Sequence, residues 1–159
     1  MLEAFSKIKT DKKLVIAGGS SHTGHYMEGI TKMAKQDSRV VMTHFVQGRH
    51  LEELFSNAYC FVLPSDIEGM AISLLEAMSY GNCCVVSDIP ENMEVVKGHA
   101  LSFEKGNVEE LRKVLEDLIA HPDVVEKYRS ESQEYICFSF NWDEIVDTTL
   151  KIYQDVRKK

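Results

Sequence analysis

Short apolar runs alternate with segments of helical period along the whole chain. Leu14-Val15-Ile16-Ala17 reads as a buried strand ended by Gly18-Gly19-Ser20-Ser21, and Tyr26 to Lys35 as a helix with Ile30, Met33 and Ala34 on one face. Val40-Val41-Met42 is the next strand, and Leu51 to Asn57 a short helix that turns Leu51, Leu54 and Phe55 inward. Cys60-Phe61-Val62-Leu63 is a strand stopped by Pro64. Ala71, Leu74, Leu75 and Met78 then follow the i, i+3, i+4, i+7 rule of an amphipathic helix, which Gly81 ends. Cys83 to Val86 is another buried strand, Pro90 to Lys97 a short helix, and Ala100 to Phe103 a short strand. Asn107 is placed to cap a helix, with Glu110 at the capping-box position and Leu111, Val114, Leu115 and Leu118 inward. Two helices close the chain, one over about Val124 to Tyr135 and one capped by Asn141 and running from Trp142 towards Arg157.

Strands with no polar alternation, interleaved with helices, predict an α/β fold. It is a doubly wound, Rossmann-like parallel sheet with helices on both faces, followed by the two C-terminal helices. Ligands of such folds sit beyond the carboxyl ends of the strands.

Composition narrows the function. The 159 residues predict a single domain, and 44% hydrophobic with 27% charged residues is ordinary globular usage. The net charge of −7 argues against a nucleic-acid backbone as partner and offers no basic surface to anionic lipid. No apolar run reaches the ~20 residues that span a bilayer, and no signal peptide is visible. None of the four cysteines (Cys60, Cys83, Cys84, Cys137) forms a Cys-x2-Cys pair, and the first three sit in strand-like runs, so they read as reduced core residues. His22 and His25 are three apart but have no third ligand nearby, so no metal site is expected.

The segment after Leu63 is the chemically informative one. It reads Pro64-Ser65-Asp66-Ile67-Glu68-Gly69-Met70-Ala71-Ile72, leaves a strand at its carboxyl end and enters a helix. The first backbone N–H groups of that helix, around Met70 to Ile72, lack intrahelical partners and stand at its positive end, which suits a phosphate. Gly69 lets a ligand approach the backbone. Glu68 stands at the entrance, and Glu76 lies roughly 9 Å into the helix with a side chain that leans back towards the same cleft. Two carboxylates beside a phosphate site suit sugar hydroxyls, which are hydrogen-bond donors. Two Glu at this spacing, taken alone, are more often solvated surface residues; their place at a strand–helix junction favours the site.

The pattern Pro64-Ser65-x2-Glu68-Gly69-x6-Glu76-Ala77-Met78-x2-Gly81, then Ser87-Asp88 and Glu94-Val95-Val96, resembles the C-terminal, nucleotide-sugar-binding domain of group-1 retaining glycosyltransferases of GT-B type. Leu14 to Gly19 is similar to the family's strand and Gly-rich turn. Phe45-Val46-x4-Leu51-x2-Leu54-Phe55-x2-Ala58 is similar to the segment before the motif, and Phe140-Asn141-Trp142-Asp143 to the opening of its last helix.

The resemblance implies transfer of a sugar from a nucleotide-diphosphate sugar with retention at the anomeric carbon and without a bound metal. Glu68 would lie against the transferring sugar and assist catalysis, and Glu76 would accept from the ribose hydroxyls. The N–H groups of Met70, Ala71 and Ile72, beside Gly69, would hold the phosphate or sugar. Backbone near Val46 would meet the base, and Gly19 belongs to the donor-binding turn. Other readings of the same fold are a nucleotide-sugar epimerase and a non-catalytic nucleotide-sugar-binding or partner module. A receiver-type signalling domain would need clustered acids after its first strand, which are absent from this sequence.

The sequence departs from the family at Ile89-Pro90-Glu91-Asn92, where two glycines are common, and at Ala71, where Gly or Pro is common. Its start also differs. Relatives open this domain with a strand ending in Arg and then Lys, which bind the diphosphate, whereas Met1-Leu2-Glu3-Ala4-Phe5 looks like the middle of the following helix. The expectation is therefore a donor-binding half over 1–159, inactive alone, with its first strand and the acceptor-binding N-terminal domain absent. Its setting would be cytoplasmic, with peripheral membrane contact made through that other half. Five strands are expected in one sheet, with Leu14–Ala17 and Cys60–Leu63 adjacent or poorly paired.

Overall fold

The computed structural model describes residues 1–19 and 24–157. Ser20, Ser21 and His22, which the sequence reading sets after the first strand, lie outside the described residues. The order is α1 (Leu2–Ser6), β1 (Leu14–Ala17), α2 (Gly24–Ala34), β2 (Val40–His44), α3 (Arg49–Asn57), β3 (Phe61–Leu63) and α4 (Ile72–Ser79). Then come β4 (Cys84–Ser87), α5 (Pro90–Val96), β5 (Leu101–Phe103), α6 (Val108–Ala120), α7 (Pro122–Ser139) and α8 (Trp142–Arg157). All pairings are parallel: β1 with β2, and β3–β4–β5 in that order. The expected elements are present within a few residues at each end.

The single five-strand sheet is a correction. Among the described residues the strands form a pair and a triplet, and no ladder joins β1 to β3. Of the two expected arrangements the unpaired one holds.

β4 explains why the triplet is stable. All four of its residues are buried, and alternation sends them to opposite faces. Cys84 and Val86 pack with Leu74, Ala77 and Met78 of α4, Val95 and Val96 of α5 and Ile136 of α7. Cys83 and Val85 pack with Ala4 and Ile8, with Phe103, and with Leu111, Leu115 and Leu118 of α6. Helices thus cover both faces, as a parallel sheet requires. Truncating a fully buried residue such as Leu74 or Leu118 to Ala costs about 2–5 kcal/mol. No residue of β1 is buried and Val15 is 41% exposed, so no comparable contribution comes from the β1–β2 pair.

Turns fix the geometry between these layers. α4 ends in a Schellman motif: Gly81, at φ +71°, donates to Met78 O (2.9 Å), and Asn82 N–H donates to Ala77 O (3.1 Å). α7 holds this turn from outside, with Arg129 Nε on Gly81 O (3.1 Å), Ser132 Oγ on Asn82 O (2.9 Å) and Gln133 Nε2 on Ser79 O (2.9 Å). The capping box of α6 forms only in part. Asn107 Oδ1 accepts the Glu110 N–H (3.0 Å), but Glu110 Oε2 accepts from the Glu104 N–H (2.9 Å) because the Asn107 N–H is already bonded to Glu104 O.

One side chain fastens β2 to the start of the chain. Arg39 Nη1 donates to Ile8 O (2.6 Å) and Thr10 O (3.3 Å), its Nε and Nη2 donate to Asp37, and its guanidinium stacks on the Phe5 ring at 4.7 Å. We expect Arg39→Met to speed amide exchange across β1 and β2, to leave β3–β5 protected, and to lower Tm by several degrees. Hydrogen bonds from the Arg39 side chain, then its backbone, hold the Asp37 carboxyl below its ordinary 3.8. A lowered native value stabilises above the unfolded value, so this contribution is complete above pH 3.8 and disappears as pH falls through the native value. An acid titration of Asp37→Asn is expected to lack that step.

Cys83 and Cys84 are fully buried, Cys60 is half-buried and Cys137 is exposed, all as free thiols. Burial pushes Cys60 up to about 11, Cys83 up to about 12 and Cys84 higher still, which removes thiolate at neutral pH. A maleimide titration of the native chain should label Cys137 rapidly and the other three only on unfolding.

Candidate functional site

The carboxyl ends of β3, β4 and β5 meet in one place. Register sets this: Leu63 pairs with Val86, and Ser87 pairs with Phe103, so the segments starting at Pro64, Asp88 and Glu104 emerge side by side. Pro64 ends its ladder because it has no N–H to donate. Ser65 Oγ donates to Glu68 Oε1 at 2.6 Å, closing a turn that brings the carboxylate back over its own strand end. Glu68 is half-buried, whereas Asp66 and Gly69 are exposed, as are Ile67 (80%), Met70 (59%) and Ile72 (57%).

The entry to α4 supplies donors. Ala71 occupies the N-cap with no side-chain acceptor, so the first N–H groups go uncapped. Among the described residues, the N–H groups of Met70, Ala71 and Ser73 donate to no group of the protein. The Ile72 N–H turns back onto Met70 O at 2.9 Å, and Leu74 and Leu75 donate to Ala71 O. Of the three donors expected from sequence, Met70 and Ala71 are free and Ile72 is engaged; Ser73 joins them. Its signal was the ordinary rule that four N–H groups at a helix start lack partners; which one is lost depends on the tight turn at Met70.

Glu76 is on the exposed side of α4 together with Ile72 and Ser73, opposite the buried Leu74, Ala77 and Met78. It is one turn from Ile72, so the carboxylate and the uncapped end share a face. Lys105 lies at the same rim: its N–H donates to Asp88 Oδ1 (2.8 Å) and its Nζ to Asp66 O (3.4 Å). Sequence reasoning missed Lys105 because only the β3–β4 and β4–β5 registers together bring residue 105 beside residue 66.

Gly19 and Val46 belong to the other pair of strands. Gly19 follows β1 and lines an open groove of about 510 Å³ with His44, Gly24 and the α2 residues Met27, Thr31 and Lys35. Val46, half-buried, comes two residues after β2. Among the described residues no hydrogen bond or ion pair joins either of them to segment 64–76. His25 is fully exposed on α2 against Glu28, and no three His, Cys, Asp or Glu converge among the described residues.

The arrangement combines uncapped N–H donors at the positive end of a helix with two carboxylates and one lysine. That set can accept an anion and, beside it, a polyhydroxylated group.

Comparison with known proteins shows the family and the fold. Glycosyl transferases group 1 is the family whose sequence pattern matches residues 1–155. The α-maltose-1-phosphate synthase of Mycolicibacterium smegmatis is 27% identical over 98% of this chain and 44% of its own length. The GDP-mannose:cellobiosyl-diphosphopolyprenol α-mannosyltransferase of Xanthomonas oryzae pv. oryzae is 26% identical over 98% of this chain and 42% of its own. The chain thus spans less than half the length of these relatives. Among solved structures, Anabaena HepE in complex with UDP and glucose superimposes with a TM-score of 0.85 at 16% identity, over 99% of this chain and 44% of that one. The fold is the α/β fold of these GT-B neighbours, and the chain belongs to the glycosyl transferases group 1 family.

Proposed function

We propose that this chain is the donor-binding half of an enzyme that moves a sugar from a nucleotide-diphosphate sugar to an acceptor with retention of anomeric configuration. The observation that carries the reading is the Pro64–Glu76 segment, where Ser65 orients Glu68 beside the free N–H groups of Met70, Ala71 and Ser73. Similarity to a mannosyltransferase named for GDP-mannose, and a fold shared with a UDP complex, support a nucleotide-sugar donor.

In this reading the N–H groups at the start of α4 receive the phosphate that carries the sugar, with Gly69 allowing close approach. Glu76 accepts from the ribose hydroxyls, backbone near Val46 meets the base, and Gly19 borders the donor turn. Glu68 lies against the transferring sugar. The bond between the anomeric carbon and the diphosphate oxygen breaks with its electron pair leaving on the diphosphate. The acceptor oxygen bonds to the same carbon from the same face, and its proton passes to the departing diphosphate. Fixed donors facing the growing phosphate charge lower the barrier, because they need no reorganisation as the charge develops. The acceptor is bound by the part of the protein outside this chain, so the chain alone should not turn over. No resident cofactor is required. No described helix is long and apolar enough to cross a membrane. We place the enzyme in the cytoplasm, with any membrane contact made through the other half.

The test uses the complete gene product with UDP-glucose and GDP-mannose as probes, reading release of the nucleoside diphosphate. Glu68→Gln should lower kcat by roughly 10²-fold or more with nucleotide affinity nearly unchanged. Glu76→Ala should weaken nucleoside-diphosphate binding by roughly 10-fold or more. Full turnover in the first variant would refute a catalytic Glu68, nucleotide binding without any turnover in the parent would favour a binding module, and unchanged affinity in the second variant would remove the ribose role. The anomeric configuration of the product, read by NMR, decides retention.

A further inference from the structure

The loop that carries Glu68 is held from below as well as by its own turn. Asn92 on α5 is fully buried, and its Nδ2 donates to the Ser87 carbonyl (3.1 Å) and to Ser87 Oγ (3.2 Å). Ser87, 1% exposed, donates its hydroxyl to the Ser65 carbonyl at 2.6 Å. Ser65 Oγ in turn donates to Glu68 Oε1 at 2.6 Å.

The protons run one way along this chain of groups. Ser87 has a single hydroxyl hydrogen, and Ser65 O, an acceptor only, takes it. Towards Asn92, Ser87 Oγ must therefore accept. Ser65 likewise has one hydrogen, and the carboxylate takes it. The orientation of the Asn92 amide follows from the same count, since turning it over would set Oδ1 against the Ser87 carbonyl, two acceptors face to face. As oriented, Asn92 Oδ1 is buried with no hydrogen-bond partner among the described residues. A leucine, with the same branched side-chain skeleton, would strand no oxygen there. The amide is explained by what its Nδ2 holds.

We propose that Asn92 and Ser87 are positioning residues for Glu68. They fix the Ser65 carbonyl, so that the Ser65 hydroxyl holds Glu68 Oε1 and leaves the second carboxylate oxygen to the donor sugar. This rests on the catalytic reading of Glu68 given above. Neither residue touches the donor; each acts through Ser65.

The experiment measures two things in the complete gene product: amide exchange of residues 65–69 without substrate, and hydrolysis of UDP-glucose or GDP-mannose with UDP or GDP affinity. Ser87→Ala and Asn92→Leu should speed exchange of the loop by about 10-fold. They should lower kcat by roughly 10–10²-fold, as misplacing a reacting group by ~1 Å does, with KM within about twofold. Ser65→Ala breaks the last link, lies outside the core, and keeps the test open should a buried variant fail to fold. Val125→Ala, a core change remote from the loop, should lower Tm while leaving both readouts as in the parent. Unchanged loop exchange in a folded Ser87→Ala or Asn92→Leu overturns the relay whatever Glu68 does. Faster exchange with an unchanged kcat overturns the positioning role. Full turnover in Glu68→Gln overturns the catalytic reading itself, and is distinguishable because exchange is read without substrate.

Discussion

The burial of β4 on both faces is the constraint that everything else in this chain answers to. Four residues with no exposed side must be apolar or fully bonded, and the sequence Cys84-Val85-Val86-Ser87 meets that with three apolar residues and one serine. The serine is permitted because its hydroxyl has a donor on one side, Asn92, and an acceptor on the other, Ser65. The same hydroxyl sits where the strand ends and the loops of the candidate site begin. A demand of the core, that the buried serine hydroxyl be bonded, thus also ties the loop of Glu68 to the sheet.

Pattern reading found the strands and helices because each carries its own signal. Ala71, Leu74, Leu75 and Met78 recur at helical spacing; Ala71, Leu74 and Met78 are buried and Leu75 is half-buried. Cys83 to Val86 lack polar alternation and both faces are covered. Glu68 and Glu76 can be placed at a strand–helix junction from the sequence because the strand–Pro-Ser–Glu-Gly–helix order fixes where a loop must emerge. What the pattern could not show depends on register between distant segments. Lys105 beside Asp66, and the path from Asn92 through Ser87 to Ser65, follow from which residue of β4 faces which residue of β3 and β5. Periodicity carries no information on that. The Ile72 N–H was misjudged for a local reason: a tight turn at Met70 uses a donor that a regular helix start would leave free.

The division of the strands into a pair and a triplet has an electrostatic side. The triplet is held by apolar packing, which charge screening does not weaken. The pair depends on Arg39, whose guanidinium serves the Ile8, Thr10 and Phe5 carbonyls, the Asp37 carboxylate and a ring at once. An arginine can do this where a lysine cannot, because its donors form a planar fork and its flat face stacks on an aromatic ring. The two parts therefore answer to different solution variables, one to temperature and denaturant through its core, the other also to pH and ionic strength.

α8 differs from every other long helix in that all of its 16 residues are exposed. Its order is held by local devices: Asn141 Oδ1 on the Asp143 N–H, acidic residues in the first turn, Arg157 in the last, and Thr149 Oγ1 bonded to Ile145 O. A helix of that length without tertiary packing is only marginally stable, because the cost of nucleation is not repaid by buried surface. Its helix–coil equilibrium is then a matter of degree, where the core unfolds as a unit. In far-ultraviolet circular dichroism this gives a folded baseline that slopes steadily with temperature, the ellipticity of one helix fading well before the cooperative step that belongs to the sheet.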